Sequence, residues 1–159
     1  MSKVIYDTER RRVLGEIYPG DRIVRASSVE ALKDLESAPE GETFTKIYHK
    51  VLPKLAQCKL SSTEWTVFLY LGANLRYISN VAKYSNGRLI TRESLRKDLN
   101  FPEITVKRAV LRLISEGLII EARTMEGKVF IVNPFVLSVG DKVSKTVYDL
   151  FRKSKWARW

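Results

Sequence analysis

The chain of 159 residues is 45% hydrophobic, enough to bury the core of one domain of ordinary size with an appendage. Its net charge of +10 and pI of about 9.8 suit an acidic partner, either nucleic acid or an anionic surface, and also serve simple solubility. No apolar run approaches the roughly 20 residues that cross a bilayer, and no long apolar segment follows Arg10, Arg11 and Arg12 as a signal peptide requires, so a cytoplasmic protein without membrane contact is expected.

Along the chain, Val13 to Ile17 and Arg22 to Ala26 flank Tyr18-Pro19-Gly20-Asp21, a type II turn pattern that predicts a short β-hairpin. Arg10 to Arg12 are expected on its solvated face. Ser27 to Glu42 is polar and acidic, ends near Pro39 and Gly41, and is expected to be a linker with one weak helical turn. This first part, residues 1–42, carries seven Lys/Arg against nine Asp/Glu, whereas residues 43–86 carry six against one. The basic surplus therefore lies in the middle and C-terminal parts.

From Thr43 the pattern turns helical: Phe44, Ile47, Tyr48, Val51, Leu52 and Leu55 form one stripe and Lys46, Lys50 and Lys54 the opposite face. Pro53 is expected to weaken or kink that helix. His49 and Cys58, the single histidine and single cysteine, are expected to be packing residues. One cysteine rules out an internal disulfide, fits a reducing compartment, and with one histidine leaves no zinc-finger ligand set. Ser61-Ser62-Thr63-Glu64 is a capping-box pattern, and the helix it opens carries Trp65, Phe68, Leu69, Leu71 and Leu75 on a broad apolar surface, as a central helix does.

Asn86-Gly87 signals a turn before the apolar pair Leu89-Ile90. Thr91 is placed to cap a helix from Arg92 to Leu99, Asn100-Phe101 to break it, and Pro102 to open another that runs to about Glu116 and stops at Gly117. Leu118 to Glu121 and Lys128 to Val132 predict a hairpin around Thr124-Met125-Glu126-Gly127. Asn133-Pro134 ends it. A last amphipathic helix carries Val143, Val147, Leu150 and Phe151, followed by the basic tail Lys153 to Trp159. Trp156 and Trp159 are expected to fold back onto the core, although the same mixture suits DNA, an anionic surface or a partner groove.

The order helix, short strand, helix, turn, helix, hairpin, with the segment from Ile90 to Ile119, resembles the winged helix-turn-helix domains of bacterial transcription and replication regulators. Two short helices crossing steeply need apolar or small contact residues, here Leu95, Leu99, Val106 and Ala109. With Val106, Val110 and Leu113 inward, 100° per residue sends Ile104, Arg108, Leu111 and Ser115 outward, with Thr105, Lys107 and Arg112 on the flanks. Such a second helix enters the DNA major groove. The candidate contacts with double-stranded DNA are Arg92 and Arg96 on the first helix, Glu103, Ile104, Thr105, Lys107, Arg108 and Arg112 on the second, and Arg123 and Lys128 on the wing. Lys107 and Arg108 are the expected readers of bases or phosphates, and Arg92 and Arg96 of the backbone.

The stretch VFIVNPFVLSVGDKVSKTVYDLFRKSKWARW, with Asn133-Pro134, Gly140, Leu150-Phe151 and Ser154-Lys155-Trp156, resembles the C-terminal part of RepL-type replication proteins of plasmids and phages of Gram-positive bacteria. With the winged helix the resemblance spans roughly residues 44–159. It implies an origin-binding initiation or maintenance protein that recruits host replication proteins, has no chemistry of its own and needs no cofactor or metal. No glycine-rich phosphate loop, Ser/His/Asp set or metal-spaced carboxylate cluster argues for an enzyme. The same fold suits a transcription regulator on operator DNA, and the amphipathic segments Phe44 to Leu55 and Val143 to Phe151 suit a homodimer or a protein-interaction adaptor. The expected class is α+β, mainly α: a hairpin arm and linker over 1–42, a winged helix-turn-helix over 43–140, and a C-terminal amphipathic helix with its tail over 141–159.

Overall fold

A computed structural model describes residues 3–7, 12–17 and 43–157. Chain contacts divide the protein into two units, 1–42 and 43–159. In the first, β1 (Lys3–Asp7) pairs antiparallel with β2 (Arg12–Ile17), and the register slips by one residue at Leu14, between Ile5 and Tyr6 on the partner strand. The expected strand over 13–17 is therefore present, but the strand paired with it precedes it. Arg22 to Ala26 and the linker 27–42 lie outside the described residues.

The second unit is α+β. It begins with a departure from the expected helix over Phe44–Leu55: Thr45–Ile47 form a strand, β3, and only Leu52–Gln57 are helical (α1). Pro53 occupies the first turn of α1, where its missing N–H costs nothing, so it opens this helix instead of kinking a longer one. β3 pairs antiparallel with β6 (Leu137–Val139), some 90 residues on, in the register Thr45↔Val139 and Ile47↔Leu137. His49 falls in the turn between β3 and α1 and is exposed, not packed.

Ser61 caps α2 (Ser62–Ala73) through the full reciprocal box: its hydroxyl accepts from Glu64 N–H and its own N–H donates to the Glu64 carboxylate. Val67, Phe68 and Leu71 are buried on the inner side of α2 and Trp65 is half-buried, but Leu69, expected inward, is exposed. Leu69 lies one residue past Phe68, about 100° round the helix and away from the buried stripe. After α2, isolated bridges link Leu75 with Ala82, Val81 with Ile131, and Lys83 with Leu89 around the Asn86-Gly87 turn. The strand-like segment beside the hairpin is thus Asn80–Ala82, while Leu89 makes one bridge to Lys83.

Thr91 and Ser94 cap α3 (Arg92–Asp98) reciprocally. Asn100, at φ +52°, turns the chain, and Pro102 stands just before α4 (Glu103–Ser115), which stops where Gly117 adopts φ +72°. β4 (Ile119–Thr124) and β5 (Gly127–Val132) pair in the register Ile119↔Val132 through Thr124↔Gly127.

The hairpin is covered on both faces. Phe130 and Val132 belong to the main core with Leu55, Phe68, Leu71, Leu95, Val106, Val110 and Leu113. Val129 and Ile131 point the other way and pack with Val147 and Phe151 of α5 (Lys145–Phe151). That alternation explains why the second part of β5, Val129 to Val132, is an unbroken apolar run. Leu150, expected on the buried stripe of α5, is exposed.

Candidate nucleic-acid interface

α4 separates its faces cleanly. Val106, Ala109, Val110 and Leu113 are buried, and Leu95 on α3 meets them with Leu99 and Phe101 half-buried beside the turn. This places Glu103, Ile104, Lys107, Arg108, Leu111 and Ser115 outward and exposed, and leaves Thr105 half-buried on the flank. Ile104 and Leu111 remain 52% and 49% exposed, and neither belongs to an apolar cluster of the unit.

The cations of the expected site divide by whether an acid already holds them. Arg92 Nη2 lies 2.6 Å from Glu121 Oε2 on β4, and its buried Nε has no hydrogen-bond partner among the described residues. Arg96 donates twice to Glu93, at 2.9 and 2.7 Å, and this hydrogen-bonded guanidinium holds the Glu93 carboxyl down at about 2. Arg112 sits 2.9 Å from Glu116 and donates to the Cys58 carbonyl at 3.1 Å. By contrast, Lys107, Arg108, Arg123 and Lys128 make no ion pair with any described residue.

Arg123 and Lys128 are also register partners across the hairpin. Like charges directly opposite on a two-stranded sheet repel, so hairpin stability does not favour this pair. Glu121 and Arg123, two apart, share one strand face. The Arg92–Glu121 pair thus ties the start of α3 to the face that carries Arg123 and Lys128. Met125 at the hairpin tip is fully exposed.

The C-terminal end of α4 is clamped by the tail. Trp156 is 2% exposed, and its indole Nε1 donates to the Glu116 carbonyl at 2.7 Å. Lys155 hydrogen-bonds the Glu116 carboxylate, which lowers the Glu116 pKa and raises that of Lys155. Asn133, fully buried, donates to the Gly117 carbonyl at 2.7 Å and to Ser154 Oγ at 3.1 Å. Turn, hairpin end and tail are therefore held by one polar network around Gly117. Sequence reading found Trp156 but missed Asn133, whose only local sign is the Asn-Pro break. Cys58 is half-buried, 3.6 Å from Glu116, and burial raises its pKa.

Elsewhere a mainly apolar cleft of about 630 Å³ is bordered by Phe44, Ile47, Leu69, Tyr77 and Leu137. Asp98 accepts from the hydroxyls of Tyr70 and Tyr84, which joins α2 to α3 and lowers the Asp98 pKa. Among the described residues, no three His, Cys, Asp or Glu side chains gather as metal ligands, and no helix is long and apolar enough to cross a membrane. Comparison with family models, curated proteins and solved structures returns no match for this chain.

Proposed function

We propose that residues 43–159 form a winged helix-turn-helix that binds double-stranded DNA, with α4 as the recognition helix and the β4–β5 hairpin as the wing. The observation that carries this reading is the selective pairing of charge: Arg92, Arg96 and Arg112 are bound by acids, while Lys107 and Arg108 on the outer face of α4, and Arg123 and Lys128 on the hairpin, have none among the described residues. Leaving cations unpaired on a convex helix and a neighbouring hairpin suits a polyanion. Residues 43–159 supply that field, with 21 Lys/Arg against nine Asp/Glu.

Within this reading Lys107 and Arg108 face the groove, Ile104 and Thr105 border them, and Glu103 stands at the end of α4 that enters first. Arg123 and Lys128 reach phosphates beside the wing. Arg92, Arg96 and Arg112 act mainly by holding α3, the hairpin and the end of α4 in position. The likeness of residues 44–159 to RepL-type replication proteins supports an origin-binding initiation or maintenance role in the cytoplasm, acting through host replication proteins and without catalysis. The adaptor reading keeps only the end of its first amphipathic segment as helix, because residues 44–51 are not helical and α1 starts at Leu52.

The test is to capture fragmented replicon DNA with the purified chain and sequence what is retained. Closely spaced direct repeats in one region support an initiator, whereas inverted repeats over promoters make it a transcription regulator bound as a homodimer. On the recovered site, Arg108→Ala is expected to cost about 1–3 kcal/mol, and affinity is expected to fall steeply with salt. No enrichment over random DNA removes the proposal.

A further inference from the structure

Resting on the DNA-binding reading, we infer that α4 reads thymine methyl groups through Ile104 and Leu111, placed on either side of Arg108. These three residues stand at i, i+4 and i+7, so they share one outward stripe. Ile104 and Leu111 are each about half exposed, at 52% and 49%, and lie outside both apolar clusters. Packing among the described residues therefore does not account for two large apolar side chains there.

Their surroundings select the occupant. Lys107 and Arg108 lie between them without an acid partner among the described residues. A second copy of the same stripe would set these cations against their own kind. A purely apolar partner would strand them without water. An anionic surface that also offers isolated apolar groups satisfies both, and in the major groove the thymine C5-methyl is that group. Seven residues at 1.5 Å rise separate Ile104 from Leu111 by about 10 Å, or about three base-pair steps where the helix lies along the groove. The site so described has two A·T pairs about three steps apart with a G·C pair between them for Arg108.

The experiment uses the full chain and a duplex recovered from a random-sequence library, synthesised once with thymine and once with deoxyuridine, which lacks only the methyl. Affinity is expected to drop about fourfold for each methyl contacted, the factor for burying one such group. The double variant Ile104→Ala, Leu111→Ala is expected to bind both duplexes equally. Lys107→Ala, as control, weakens binding yet keeps the thymine preference. Indifference of the parent protein to the methyls overturns the inference, as does a double variant that keeps the full preference. Duplex binding with no recoverable sequence overturns it too, while leaving the DNA-binding reading in place. No duplex binding at low salt overturns both.

Discussion

Replacing Trp156 by alanine tests whether the tail closes the core. The indole is 2% exposed, touches the Gly117 turn and donates its N–H to the Glu116 carbonyl at 2.7 Å. Deleting a buried aromatic ring of this size costs about 3–5 kcal/mol. For a unit of this length that corresponds to a fall in Tm of about 10–20 °C. Trp156→Phe keeps most of the ring but removes the donor, so a smaller loss of about 1–3 kcal/mol is expected. Lys153→Ala, on the exposed side of the same tail, is expected to stay within about 0.5 kcal/mol of the parent. Urea unfolding followed by tryptophan emission is the assay. Trp65 packs half-buried against the core of the same unit and remains a reporter when Trp156 is gone. A loss below about 1 kcal/mol at unchanged urea dependence would refute the closure, because no buried ring of that size leaves so little trace. The consequence for function is direct: the clamp holds the last turn of α4 and the entry to the hairpin.

Two more expectations concern charge. Lys128→Glu turns the repulsive cross-strand pair with Arg123 into an attractive one, so the hairpin should gain about 0.2–1 kcal/mol in thermal melting while, on the proposed function, duplex affinity and its salt slope fall; unchanged affinity would take Lys128 out of the proposed DNA surface. The Glu116–Lys155 pair sets a pH window. The lowered Glu116 pKa contributes stability that is complete above its ordinary value of 4.5 and is lost as pH falls through the folded value. The raised Lys155 pKa contributes stability complete below 10.5 and lost as pH rises through its folded value. Urea midpoints of parent and Lys155→Met should therefore differ most between about pH 5 and 10 and converge at both ends; a constant gap would show that the pair contributes nothing.

What the sequence determined by itself was everything set within a few residues. The Ser61 and Thr91 caps, the turns at Asn100 and Gly117, and the hairpin turn Thr124–Gly127 all fall where short-range rules place them, because each is closed by groups in adjacent turns of chain. The outward face of α4 was legible for the same reason, since a helix fixes direction at 100° per residue. Tertiary structure decided the rest. Thr45–Ile47 carries helical spacing but becomes a strand because Leu137–Val139, far along the chain, supplies its hydrogen bonds. Leu69 and Leu150 have the right composition for a core and the wrong angle. Most telling are the arginines: the sequence reading assigns Arg108 to bases or phosphates, Arg92 and Arg96 to the backbone and Arg112 to a flank, without indicating which of them an acid already holds. Arg96 finds its acid three residues away on its own helix and Arg112 finds Glu116 four residues on, at the cap of α4, whereas Arg92 finds Glu121 only across the fold. Charge acts through space, so only the folded chain decides which cation is already satisfied and which is left to meet a partner.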